Sequence, residues 1–176
     1  MALYLPQSRA LFLHIPKCAG HSIEAIIKAA EIQCVPWYPR QGVCPRHAPL
    51  SWFPPDADFV FCSVRHPRSW IESYWRYHYG NQLDFRADRW YPHSALPHRM
   101  PEQFADLLKW IRDNQPGIVG RIFEWFVGPP GAPVVDAVCR VESLAEDMWK
   151  ILDHLGYNVS KEQIQEVPAQ WVTSQI

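Results

Sequence analysis

Residues 10–15, Ala-Leu-Phe-Leu-His-Ile, are apolar almost without interruption and stop at Pro16. A run that short and that apolar predicts a strand covered on both faces. The turn Lys17-Cys18-Ala19-Gly20 comes next, and then Ile23, Ile26, Ile27 and Ala30 recur at the spacing of one helix face. Strand, tight turn and helix inside the first thirty residues predict an α/β layer fold.

The rest of the chain repeats the theme. Residues 58–64, Asp-Phe-Val-Phe-Cys-Ser-Val, read as a second buried strand closed by Arg65, and 134–140, Val-Val-Asp-Ala-Val-Cys-Arg, as a third. Proline suits the first position of a helix, so His66-Pro67 predicts a helix start, with the helix running to about Tyr79. Residues 102–113 and 118–127 are helical in pattern, and Gly128-Pro-Pro-Gly131 breaks the chain. Ser143-Leu-Ala-Glu146 predicts a capping box for a helix ending before Gly156, and Ser160 with Gln163 predicts the cap of one more turn. Residues 33–55 are dense in Pro, Trp and Cys without a period and read mostly as loop. The expectation is a single domain over residues 1–176: an α/β, three-layer fold with a central parallel sheet, helices on both sides and a polar, aromatic insertion at 80–101.

Composition narrows the function classes. A chain of 176 residues fits one domain, and 48% hydrophobic with 20% charged residues excludes a disordered tail or a collagen-like fibre. Seventeen basic against eighteen acidic residues leave a formal charge of −1. That argues against a nucleic-acid binder but is compatible with a local basic pocket for a small anion. No apolar run approaches the ~18 residues of a membrane span, and the N-terminus lacks a secretory pattern, so a cytoplasmic protein is expected. Five cysteines with no CxxC pair argue against zinc ligation and a disulfide framework. Cys62 and Cys139 sit in apolar runs and read as buried. Cys34 and Cys44 read as free thiols that can pair in an oxidising compartment. Nine tryptophans and seventeen prolines suit either a loop-rich fold with aromatics packed under its loops or a pocket for flat or sugar-like ligands.

The chemistry concentrates in Phe12-Leu-His-Ile-Pro-Lys-Cys-Ala-Gly-His-Ser22. A strand feeding a helix through a glycine turn aims backbone N–H groups and the positive helix end at one point, which suits phosphate-like anions. Lys17 adds a point charge and Ser22 a hydroxyl. An ordinary nucleoside triphosphate loop needs a glycine well upstream and a Lys-Ser/Thr pair after the second glycine. Neither is present here, so a kinase is disfavoured.

The turn resembles the 5′-phosphosulfate motif of sulfotransferases that use 3′-phosphoadenosine 5′-phosphosulfate (PAPS), commonly His-Ile-Pro-Lys-Thr-Gly/Ala-Gly-Thr-Ser in the carbohydrate branch. His14, Ile15, Pro16, Lys17, Ala19, Gly20 and Ser22 match, while Cys18 and His21 stand where the family usually has threonine. Ser63-Val-Arg-His-Pro-Arg-Ser-Trp-Ile-Glu-Ser-Tyr-Trp75 is similar to the family's 3′-phosphate motif, with Arg65 and Ser73 at the matching spacing. A weaker likeness, Val138-Cys-Arg-Val-Glu-Ser-Leu-Ala-Glu-Asp147, brings in Arg140 and Glu142, which either shape the site or form a structural ion pair. The resemblance spans roughly residues 10–156. It implies a fold related to P-loop nucleotide kinases, and nucleotide contacts from Lys17, Cys18, Ala19, Gly20, His21, Ser22, Arg65 and Ser73.

The activity implied is transfer of a sulfuryl group from PAPS to a hydroxyl or amine, on a carbohydrate or other small acceptor, with no metal ion needed. Lys17 would neutralise the leaving 5′-phosphate. The acceptor must lose a proton, which calls for a base titrating near neutrality. His47, in Pro45-Arg-His-Ala-Pro-Leu50 ahead of the second strand, is the candidate, His21 the runner-up, and His14 reads as a core histidine. The insertion offers Arg86, Arg89 and Trp90 to the acceptor, with Tyr91 and Arg99 beside them, or is a solvated loop. Thr173 and Ser174 in the final segment can serve the nucleotide side. A nucleotide-binding relative without catalysis is the second reading.

Overall fold

The computed structural model describes residues 2–37, 47–53, 57–80, 95–97, 99–129, 131 and 135–168. Side-chain alternation sorts its core into two halves. The strand β2 (Ala10–Leu13) is buried throughout, as expected for a strand sandwiched between helix layers. Leu11 and Leu13 face one core, together with Cys62, Trp70, Leu107, Ile122 and Phe126; Ala10 and Phe12 face the other, with Ile23, Ile27, Phe61, Met148 and Leu152. The first core lies under the helices α2 (Pro67–Gly80), α3 (Phe104–Asn114) and α4 (Ile118–Val127). The second lies under α1 (Gly20–Ala29), α5 (Leu144–His154) and the short α6 (Lys161–Gln165). Helices on both faces of one sheet make three layers.

Among the described residues the sheet has five strands, and its centre is parallel as expected. The strand β4 (Phe59–Val64) pairs in parallel with β2 on one side and with β5 (Ala137–Arg140) on the other. Beyond β2 the sheet turns antiparallel: β1 (Leu3–Leu5) pairs with β2, and β3 (Val35–Pro36) pairs with β1 at the edge. The central parallel sheet expected from sequence is thus present as β2, β4 and β5, within a sheet made mixed by β1 and β3. Both added strands are too short for periodicity to register. Pro36 has no N–H to give a ladder, which suits an edge strand. Residues 33–55 also hold a 3-10 turn, Leu50–Trp52.

Of the two expected capping boxes, one forms. At α6 the Ser160 hydroxyl accepts from the Gln163 N–H and the Gln163 side chain accepts from the Ser160 N–H. At α5 the Ser143 hydroxyl makes no cap; it donates to Asp147 Oδ2 at 2.8 Å. Asp147 is buried and also takes the backbone N–H and the guanidinium of Arg140. A buried carboxylate outcompetes the helix N–H for the hydroxyl because charge-assisted bonds are the stronger ones.

The amino ends of the parallel strands are tied together. The Asp58 N–H donates to the Arg9 carbonyl, and the Arg9 guanidinium returns two bonds to the Asp58 carboxylate. Asp136 accepts the Val60 N–H on its side chain while its own N–H donates to the Val60 carbonyl. No helix among the described residues is long and apolar enough to cross a membrane.

Candidate functional site at the carboxyl ends of the parallel strands

The strands β2, β4 and β5 run the same way, so the segments leaving them gather at one edge of the sheet, the usual place for ligands in open α/β folds. After β2 comes the turn that leads into α1. Lys17 and Ala19 both sit at positive φ, 63° and 59°, although neither is glycine. Each such residue costs about 1–2 kcal/mol, and backbone held that way clusters at functional sites.

Three successive carbonyls hold the turn in that shape. The Trp70 indole N–H donates to the Pro16 carbonyl at 2.8 Å, Arg65 Nη1 to the Lys17 carbonyl at 3.4 Å, and the Ser63 hydroxyl to the Cys18 carbonyl at 2.5 Å. All three donors come from β4, its end or α2. A trans peptide points its N–H opposite to its C=O, so the amides of Lys17 and Ala19 face away from these donors. Cys18 fills the core, fully buried, and burial pushes its thiol far up. Only its backbone is available to a ligand, and its N–H lies 3.4 Å from the Ile15 carbonyl.

Gly20 opens α1 directly beneath the His14 ring. A Cβ there would lie 2.0 Å from His14 Nε2, so the glycine of the motif is a packing requirement. His14 is buried, as expected of a core histidine, yet it stands at the head of the site. Its ring meets that of His47 edge-on at 4.7 Å and that of His21 at 6.0 Å. His47 is half-buried, with Nδ1 3.5 Å from the His14 carbonyl. His21 is more exposed and turns Nδ1 towards Glu24, 3.9 Å away. Ser22 is buried in the first turn of α1. Among the described residues no group of three His, Cys, Asp or Glu side chains is placed to hold a metal ion.

Two cations adjoin this turn. Lys17 is half-buried, and burial first, then the Arg65 guanidinium, lower its ammonium to about 8 from 10.5. The Arg65 Nε is buried and has no hydrogen-bond partner among the described residues. Among the described residues neither cation pairs with a carboxylate, whereas Arg9, Arg76 and Arg140 each do. Ser73 is buried on α2, three residues after Trp70 and four before Tyr77, on the helix face that meets the turn.

The fold therefore brings together Lys17, Cys18, Ala19, Gly20, His21, Ser22, His47, Arg65 and Ser73. Arg140 and Glu142 have structural work: Arg140 pairs with Asp147 at 3.0 Å, and Glu142 accepts the His66 N–H at 2.9 Å. Arg86, Arg89, Trp90 and Tyr91, like Cys44, Thr173 and Ser174, lie outside the described residues. Sequence reasoning missed Ser63, Trp70 and Tyr77. The 70, 73, 77 spacing was a signal for the last two, since it puts them on the face that carries Ser73. Comparison with protein-family models, curated proteins and solved structures finds no match.

Proposed function

We propose that this protein is a sulfotransferase that moves a sulfuryl group from PAPS to a hydroxyl or amine acceptor, a carbohydrate by preference, within a fold related to P-loop nucleotide kinases. The observation that carries the reading is the pair of cations without carboxylate partners, among the described residues, beside one strained turn. Uncompensated, partly buried charge is costly unless an anion completes it. Lys17 and Arg65 can supply that completion for a nucleotide bearing phosphate groups, with bidentate donation open to the guanidinium.

PAPS, when bound, supplies an activated sulfuryl group whose leaving group is the nucleotide 5′-phosphate. Lys17 and the outward amides of the turn are suited to take up the negative charge that grows there, as preorganised donors do in related group transfers. His47, beside the His14 carbonyl at the head of the site, is suited to hold the acceptor proton. Ser73 would add a hydroxyl on the Arg65 side. Binding without transfer is the second reading, favoured by His21, whose imidazole lies 3.9 Å from Glu24 where the family has a threonine hydroxyl.

Calorimetry and a transfer assay test the reading. Adenosine 3′,5′-bisphosphate is expected to bind well ahead of ATP with magnesium, and Lys17→Met and Arg65→Met to weaken it severely. Equal or better binding of ATP would overturn the assignment. Labelled sulfate passing to a sugar acceptor, and lost in His47→Ala with nucleotide binding retained, separates the enzyme from the silent relative.

A further inference from the structure

The Lys17 ammonium lies 4.1 Å from the centre of the Tyr77 ring. Helical geometry and a hydrogen bond account for the meeting. Trp70 fixes α2 to the Pro16 carbonyl, and Tyr77 comes two turns later on the same face. The ring stands edge-on to His78, at 4.9 Å and 86°. Lys17 has no carboxylate partner among the described residues, and it meets the electron-rich face of Tyr77 there.

The choice of partner has a chemical consequence. A carboxylate in this place would hold the ammonium but would also repel an arriving anion and compete with it for the charge. An aromatic face attracts the cation through its quadrupole and carries no net charge. We infer that Tyr77 is a positioning residue: it seats the Lys17 ammonium over the turn and leaves its full charge available to an anionic ligand. This rests on the nucleotide-binding reading for the identity of the anion, but the ring contact itself does not.

The test combines a ligand-free measurement with a double-mutant cycle. In the wild-type protein the Lys17 ε-methylene protons should show an upfield ring-current shift in NMR spectra, kept in Tyr77→Phe and lost in Tyr77→Leu. Binding of adenosine 3′,5′-bisphosphate should weaken about three- to tenfold in Tyr77→Leu, the range for a partly desolvated cation–ring contact. Tyr77→Phe should retain most of the affinity, and Tyr77→Leu should add nothing to Lys17→Met. Absence of the ring-current shift overturns the inference and leaves the nucleotide reading standing. So does an equal effect of Tyr77→Leu with and without Lys17, or a Phe variant as damaged as the Leu one. If the shift is present but the wild type binds no bisphosphate, the functional reading falls and the positioning role falls with it.

Discussion

Lys17 carries its charge where burial and Arg65 both oppose it. Folded Lys17 titrates near 8 and the unfolded side chain at 10.5. Between those values the unfolded chain holds a proton the folded one has released, so this group's penalty on stability is present below about pH 8 and is relieved as pH rises. Anion binding runs the other way, because it needs the ammonium. Affinity for adenosine 3′,5′-bisphosphate should fall by up to about tenfold per pH unit above pH 8, measured by calorimetry from roughly pH 7 to 9.5. In Lys17→Arg that fall should disappear from the range, since guanidinium does not titrate there. A second residue-scale prediction concerns the 2.0 Å clash awaiting any Cβ at position 20. Gly20→Ala should destabilise the fold by about 1–3 kcal/mol in urea unfolding, as overpacking does. In a His14→Ala background the same change should be close to neutral, because the clashing ring is gone.

At the scale of elements, the two serine caps make a controlled comparison. Ser160→Ala removes a complete capping box and should cost about 1 kcal/mol in chemical denaturation. Ser143→Ala removes a donor from the buried Asp147 carboxylate instead. Arg140 holds Asp147 well below the ordinary carboxylate range, with burial opposing and the Arg140 N–H and Ser143 hydroxyl assisting. That stabilisation is present above the unfolded pKa and lost as pH falls through the lower folded one. Ser143→Ala should therefore narrow acid resistance, read from denaturation midpoints across acidic pH, more than Ser160→Ala, whose hydroxyl assists only the exposed Glu162 carboxylate. The identical Ser-x-x-Glu/Gln signature could not distinguish the sites, because the deciding group at one of them is Asp147, a third-party acceptor. β2, β4, α1 and α2 were legible because each repeats its period over four or more residues or carries a breaker such as Pro16 or Pro67. β1 and β3 were not: three and two residues carry no period, and only pairing with β2 and with each other makes them strands. The cations of the site were legible from their place after strands, while the Tyr77 contact depends on how α2 is docked.

Across the whole molecule the two ends of the parallel strands are built unlike one another. At the amino ends Asp58 and Asp136 bind backbone and Arg9, so acid and donor are matched locally. At the carboxyl ends Lys17 and Arg65 have no matching acid among the described residues. The chain as a whole is close to neutral, with a formal charge of −1. A long-range pull on anions is therefore not expected from net charge, and Lys17 and Arg65 are candidates for local steering at this edge. Stopped-flow association of adenosine 3′,5′-bisphosphate should slow as salt is raised and become nearly salt-independent in Lys17→Met/Arg65→Met, since screening acts only on charge that is exposed to it. Among the described residues, Lys17 and Arg65 thus stand without an acid at one edge while Asp58 and Asp136 are satisfied at the other. An anion that reached both cations would be held by charges that no acid of the described residues contests.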